Sequence, residues 1–129
     1  MKKLFLIFNH KLTDRQKQDA ICSLNITEFI VLPESLQKLW QNIPAEVEEI
    51  EPYLDSLQKW LLSNASKKDY ILIQGDFGAS YHMIKFAFKH DYIPVYSTTK
   101  REAVEVSGND GNVQMKHLIK HCIYRKYGA

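Results

Sequence analysis

Residues 69–78, "DYILIQGDFG", join a short apolar run to a corner bracketed by glycines. Asp69 to Ile73 has strand length, and its unbroken apolar character marks a strand buried on both faces of a parallel sheet. Beyond the corner, "ASYHMIKFAFKH" predicts a helix from Gly78 to His90, with Ile84, Ala87 and Phe88 as its buried stripe. The five residues Gln74 to Gly78 fit three readings: a phosphate cradle, a catalytic corner, or a strand-to-helix turn with Asp76 as local cap. A helix start near Gly78 or Ala79 presents unpaired N–H groups and the positive end of its dipole, which suits a phosphate oxyanion. Gly75 and Gly78 permit close backbone approach or positive φ. The stretch is neither GxGxxG nor a Walker loop, since no Gly-Lys-Ser/Thr follows. That argues against NTP hydrolysis of the usual kind.

The flanking sequence extends the pattern in both directions. Leu4 to Phe8 is a second continuous apolar run and is expected to be a central strand, with Asn9-His10-Lys11-Leu12 as the loop at its carboxyl end. Thr13 with Gln16 fits a capping box, opening a helix with Ala20, Ile21 and Leu24 inward. Residues 26–32 read as the next strand, and Pro33 opens a short helix through Trp40 and Gln41. Val47, Ile50, Leu54, Leu57 and Leu61 recur at helical spacing, but Pro52 predicts a break or a helix start near 51. Residues 93–99 read as the fourth strand. The chain then forms a hairpin, with Gly108-Asn109-Asp110-Gly111 as its turn and Val104/Val106 facing Val113/Met115. The fold class is α/β: one domain over 1–129, with a mostly parallel sheet flanked by helices, right-handed crossovers and a C-terminal antiparallel β-hairpin.

With 129 residues, 45% hydrophobic and 25% charged, the chain can build a core of its own as a globular domain. Its net charge of +2 is uneven. Residues 1–64 hold 7 Lys/Arg against 9 Asp/Glu, a net of −2, and residues 65–129 hold 10 against 6, a net of +4. A basic C-terminal half suits an anionic ligand, as it suits a solvated face. Cys22 and Cys122 match no zinc or redox spacing and read as buried thiols of a reducing cytoplasm. The start "MKKLFLIFNHKLTD" has too short an apolar stretch for a signal peptide, and no run reaches the length of a membrane span.

In parallel sheets ligands sit at the carboxyl ends of the strands, near a topological switch point. That rule gathers three polar segments on one rim: Asn9-His10, Gln74 to Gly78, and Ser97-Thr98-Thr99-Lys100-Arg101. His10 suits proton exchange near neutral pH. Lys100 and Arg101 suit phosphate, and the hydroxyls of Thr98 and Thr99 can donate to it. Each segment taken alone is equally a polar loop or a solvated sheet end. His117 and His121 share a strand face, but no acidic or Cys partner stands near them in the sequence, so no metal site is expected. Of Tyr70, Tyr81, Tyr92, Tyr96, Tyr124 and Tyr127, one or two suit stacking on a base, although packing at the core edge is the commoner role.

In that order, "LFLIFNHKLT", "LPESLQKLWQNIP", "DYILIQGDFGASYHMIKFAF" and "IPVYSTTKR" resemble the small stand-alone accessory proteins of type III CRISPR systems in the Csx group. The resemblance covers nearly the whole chain, and the pairing of "QGDFG" with "IPVYSTTKR" carries most of it. It implies a Rossmann-like fold related to the CRISPR-associated sensor (CARF) domains. It also implies a ring nuclease that binds cyclic oligoadenylate messengers, cyclic tetra-adenylate foremost, and linearises them to switch off antiviral signalling. It further implies a prokaryotic cytoplasmic homodimer with the ring across its two-fold axis, no cofactor, no membrane partner and no direct DNA binding. On this basis His10, Lys100, Arg101 and Asp76 are the candidate catalytic residues. Asn9, Gln74, Gly75, Phe77, Gly78, Ala79, Thr98 and Thr99 are the candidate ligand contacts. The competing expectations are a protein that sequesters the same messenger without cleaving it, and a regulatory domain that binds a mononucleotide, a protein partner or nucleic acid.

Overall fold

The computed structural model describes residues 2–109 and 111–129. Five strands form one sheet in the order β2-β1-β3-β4-β5. They are β1 (Lys2–Ile7), β2 (Ile26–Val31), β3 (Tyr70–Ile73), β4 (Ile93–Ser107) and β5 (Val113–Lys126). The first four run parallel, and β5 is antiparallel to β4. The helices are α1 (Asp14–Leu24), α2 (Glu34–Gln41), α3 (Asp55–Asn64) and α4 (Phe77–Lys89), with a 3₁₀ turn at Glu51–Leu54 leading into α3. The mixed α/β, mostly parallel reading is correct.

Strand alternation sorts the core into two layers. Phe5, Ile7, Ile71 and Ile73 point to one side and pack with Trp40, Leu54, Leu57, Leu61, Met83 and Ala87 from α2, the 3₁₀ turn, α3 and α4. Leu4, Leu6, Leu72 and Val95 point to the other and meet Leu12 and Ala20 near and on α1. Both faces of β1 and β3 are therefore covered, which is why their sequences read as unbroken apolar runs. Each fully buried aliphatic side chain contributes about 1.5–3 kcal/mol relative to exposure.

Local signals hold where they are local. Thr13 and Gln16 form the capping box in full. Pro33 sits at the N-cap of α2, and Pro52 lies in the 3₁₀ turn before α3, as the break at 51 requires.

Other expectations are corrected. Cys22 and Cys122 are exposed: Cys22 lies two residues from buried Ala20, on the opposite side of the helix, and Cys122 lies in a β-bulge opposite Thr98. Ile21 and Phe88 are exposed as well, and Met83 with Ala87 carries the buried face of α4. Val47 precedes the 3₁₀ turn, outside any helix, and is exposed.

The hairpin is offset by one residue. Ser107 pairs with Val113, so the loop is 108–112, closed by Gly108 N–H donating to Asn112 O at 2.8 Å. Val106 therefore faces Gln114 and Val104 faces Lys116, rather than Val113 and Met115. One extra loop residue moves each side chain against a different partner. Gly111 adopts φ +80°, a conformation that favours glycine. Asp110, expected within this turn, lies outside the described residues.

β4 pairs with β3 only as far as Val95, and from there its neighbour is β5 alone. The fourth strand and the hairpin's first limb are thus one strand, which rises past the rim as a two-stranded arm. Among the described residues of 99–120 none is buried.

Candidate functional site

The corner is built around Trp40. Gln74 N–H donates to Ile7 O at 3.1 Å, continuing the β1/β3 ladder past the end of β3. Gln74 O accepts from Trp40 Nε1–H at 3.0 Å, and Gln74 Oε1 accepts from Ser97 N–H at 2.8 Å. One residue thus ties α2, β3 and β4 together. A Cβ on Gly75 would lie 2.7 Å from Trp40 Nε1, so this glycine makes room for a buried indole. Among the described glycines positive φ occurs at Gly111 and Gly128 but not at Gly75 or Gly78.

The opening of α4 differs from a phosphate cradle. Asp76 is the N-cap, and its Oδ2 accepts from Ala79 N–H at 2.9 Å. Ala79 itself is fully buried. The expectation that the Ala79 amide contacts ligand is therefore corrected, because the chain's own carboxylate already occupies it. The cleft of about 600 Å³ beside Asp76 and Gly78 is also lined by Glu48, Glu49, Glu51 and His82. Those acids oppose a phosphate by charge. Of the three readings of Gln74 to Gly78, the capped strand-to-helix turn describes Asp76 to Ala79.

The neighbouring crevice is better suited to a ligand. Phe8, Asn9, His10, Gln74 and Gly75 line a space of about 230 Å³ at the carboxyl ends of β1 and β3. From β1 the chain passes by way of α1 to β2 on one side, then by way of α2 and α3 to β3 on the other. This is the topological switch point of the sheet. Asn9, one of its lining residues, has its Oδ1 buried without a hydrogen-bond partner. Such an acceptor costs about 1–3 kcal/mol unless a donor arrives. His10 is exposed and stands edge-on to the Phe8 ring, with centroids 5.4 Å apart. The crevice shares Phe8, Asn9 and His10 with a larger cleft of about 850 Å³, to which Lys11 and Lys17 add positive charge. Sequence reasoning missed these two lysines, which lie in the loop after β1 and on α1.

The third segment is not part of this lining. Thr98 Oγ1 accepts from Ile123 N–H and donates to Ile123 O, each at 3.1 Å, bridging the bulge between β4 and β5. Its expected role as a phosphate donor is corrected: the hydroxyl is already used. Thr99, Lys100 and Arg101 are exposed on the arm and line neither crevice nor cleft. Lys100 lies near the Glu102–Lys120 ion pair of 3.1 Å. The hydrogen bond and charge of Lys120, with the charge of Lys100, hold the Glu102 carboxyl below its usual range. The structure therefore brings together His10, Asn9, Gln74 and Gly75. It leaves Asp76, Phe77, Gly78 and Ala79 on the α4 side of Gly75, and Thr98 to Arg101 beyond the rim.

A second polar cluster lies under the root of the arm. Gln16 Nε2 donates to Ser97 Oγ at 3.3 Å, Ser97 Oγ meets His121 Nδ1 at 2.5 Å, and His121 Nε2 meets Asp19 Oδ2 at 2.6 Å. Asp19 also accepts from Ser23 at 2.5 Å. Burial pushes the Asp19 carboxyl up, but the hydrogen bonds from Ser23 and His121 outweigh it and leave it below its ordinary value. Tyr124 O–H donates to Gln16 O, and its burial raises the phenol's pKa. This is the residue set of a nucleophilic triad. Yet Ser97 is buried, its Oγ receives Gln16 as well as facing His121, and it lines none of the clefts described. The cluster pins β4 and β5 to α1. It also supplies His121 with an acidic partner, Asp19, that the local sequence does not contain.

Among the described residues no group of three or more His, Cys, Asp or Glu is placed to hold a metal ion. Likewise no helix among them is long and apolar enough to cross a membrane.

Comparison with known proteins places the whole chain. No solved structure matches it. It is 50% identical over 127 residues to Uncharacterized protein MJ1673 of Methanocaldococcus jannaschii, covering 98% of both chains. The family model described as Uncharacterized protein MJ1673 family matches residues 2–125, and the chain belongs to that family.

Proposed function

We propose that the switch-point crevice binds a cyclic oligoadenylate, cyclic tetra-adenylate foremost, and opens the ring by metal-independent phosphodiester cleavage. The fold is read as Rossmann-like and CARF-related, and the activity as that of a ring nuclease ending type III CRISPR signalling. The observation that carries the reading is the buried, unpartnered Asn9 Oδ1 beside His10. An acceptor in that position calls for a hydroxyl or amino donor, and a ribose 2′-hydroxyl meets the need.

The chemistry follows from that contact. The 2′-hydroxyl donates to Asn9 Oδ1 and is held in line with the scissile phosphorus. As the 2′-oxygen bonds to phosphorus, the hydroxyl turns its single hydrogen from Asn9 to the His10 imidazole, which takes the proton. The 5′-oxygen leaves, taking a proton from solvent, and a 2′,3′-cyclic phosphate remains. Neither water nor a metal is a reactant in this step. Lys11 and Lys17, on the cleft shared with Asn9 and His10, meet the charge that builds on phosphate. Lys100 and Arg101, placed on the arm, would reach a ring from a second copy of the chain. A homodimer fits both the symmetry of the ring and the arm.

One observation favours a second reading, in which the chain sequesters the ring without cleaving it. Asp76 caps Ala79 N–H, so the helix amide expected to hold the scissile phosphate is already used. Single-turnover assays of wild type and Asn9→Ala with cyclic tetra-adenylate separate the two. Cleavage that falls at least tenfold in the variant supports the enzyme. Tight retention of intact ring by wild type supports sequestration.

A further inference from the structure

We propose that an aromatic slot on the other side of Gln74 and Gly75 is a base-stacking subsite for a planar nucleobase. Its first wall is one face of α4: Phe77, Ser80, Tyr81 and Ile84 follow the i, i+3, i+4, i+7 spacing. The opposite wall is Tyr96 on β4 and Tyr127 just after β5, and the enclosed space is about 370 Å³. This face of α4 adjoins the buried Ala79–Met83–Ala87 face that packs on the sheet, and Ile84 packs against the same core.

Three features suit the slot to a heteroaromatic ring. First, the aromatic wall is held in place before any ligand arrives. Tyr127 O–H donates to Ile73 O at 2.6 Å, and the Tyr96 and Tyr127 rings lie 4.7 Å apart. Arg125 donates to Tyr96 O–H at 2.9 Å and lies over its ring, adding a cation at that end. Second, Phe77 is 96% exposed at the first position of α4, a cost that stacking would relieve. Third, Ser80 is 9% exposed, its Oγ is buried without a partner, and it lines this slot. A hydroxyl can donate to a ring nitrogen or accept from an exocyclic amine. A purely apolar guest would leave it unsatisfied.

Gln74 and Gly75 line both the slot and the switch-point crevice, so one nucleotide could place its ribose at Asn9 and its base in the slot. In that respect the inference rests on the nucleotide reading of the crevice. The slot's own chemistry can be tested separately.

The probe is 1,N6-ethenoadenosine 5′-monophosphate, whose fluorescence is quenched when its base stacks. Wild type should quench it saturably. Phe77→Ala/Tyr81→Ala should raise the apparent Kd about tenfold or more, since both side chains are exposed and their loss leaves the core intact. Ser80→Ala, which keeps the packing, should raise it several-fold. Absence of quenching by wild type, or equal quenching by the folded variants, overturns the slot. If wild type cleaves cyclic tetra-adenylate without quenching the probe, the slot fails and the ring-nuclease reading stands. Quenching that depends on Phe77 and Tyr81 without ring cleavage upholds the slot and removes that reading.

Discussion

Asp76 Oδ2 accepts a hydrogen bond from Ala79 N–H at 2.9 Å, so the first turn of α4 is capped by its own chain. A carboxylate in that position stabilises the helix end and repels phosphate. Asp76→Ala should lower stability by about 0.5–2 kcal/mol, the usual cost of losing an N-cap. Thermal or denaturant unfolding measures it. Ring binding should persist or strengthen, because a repulsive charge has gone. Loss of turnover without loss of stability would instead make Asp76 catalytic.

Gly75 should not tolerate a side chain. A Cβ would lie 2.7 Å from Trp40 Nε1, against a fully buried indole that holds Gln74 O. Gly75→Ala should cost about 1–3 kcal/mol through overpacking. Chemical denaturation and the Trp fluorescence of the native state report it. A variant as stable as wild type would contradict this role for the glycine.

The Asp19–His121 contact predicts a pH dependence. The folded-state pKa of Asp19 is lowered, so the stability it adds is present above its unfolded value of about 3.8 and is lost as pH falls through the folded value. Asp19→Asn should therefore flatten the acid limb of the stability curve. Asp19→Ala should also destabilise at neutral pH by about 1–3 kcal/mol, by leaving His121 Nε2 buried and unpaired. Urea midpoints from pH 3 to 7 test both. An unchanged acid limb in Asp19→Asn would show that the Asp19–His121 contact adds nothing to it.

The contrast between these sites shows what a sequence reader can see. Thr13 and Gln16 are three residues apart, and the capping box they form is set by local geometry. Tyr70 to Ile73 is buried on both faces, so its composition alone marks a central strand. Asp19 and His121 are 102 residues apart, and only the return of β5 beside α1 joins them. The slot residues on α4 share helical spacing, but Tyr96 and Tyr127 reach them through the pairing of β4 with β5. The rim rule placed Asn9, His10 and Gln74 correctly because it depends on topology. It failed for Lys100 and Arg101 because β4 continues straight into the arm, where the end of the strand was expected. The hairpin offset turned on one loop residue, which apolar alternation does not specify.

The arm predicts a dimer. Val113, Met115 and Ile119 share one of its faces and are all at least half exposed. An isolated two-stranded hairpin is marginal in water. Light scattering should give a dimer for wild type at micromolar concentration and a folded monomer for Met115→Asp/Ile119→Asp. Lys100→Ala should then slow ring cleavage in the dimer. A monomeric wild type would contradict the arm's role and leave Lys100 and Arg101 without access to the crevice.

In the proposed reaction Asn9 and His10 direct a ribose 2′-hydroxyl onto the adjacent phosphorus. Its most direct measurement is incubation with cyclic tetra-adenylate in EDTA, with products separated by chromatography and identified by mass. Alongside it runs the same ring lacking its 2′-hydroxyls, and the His10→Ala variant. The expected result is a linear product ending in a 2′,3′-cyclic phosphate, no cleavage of the 2′-deoxy ring, and a loss of about 10²–10⁴-fold in His10→Ala. Recovery of intact ring from wild type, or equal cleavage of the 2′-deoxy ring, would contradict it.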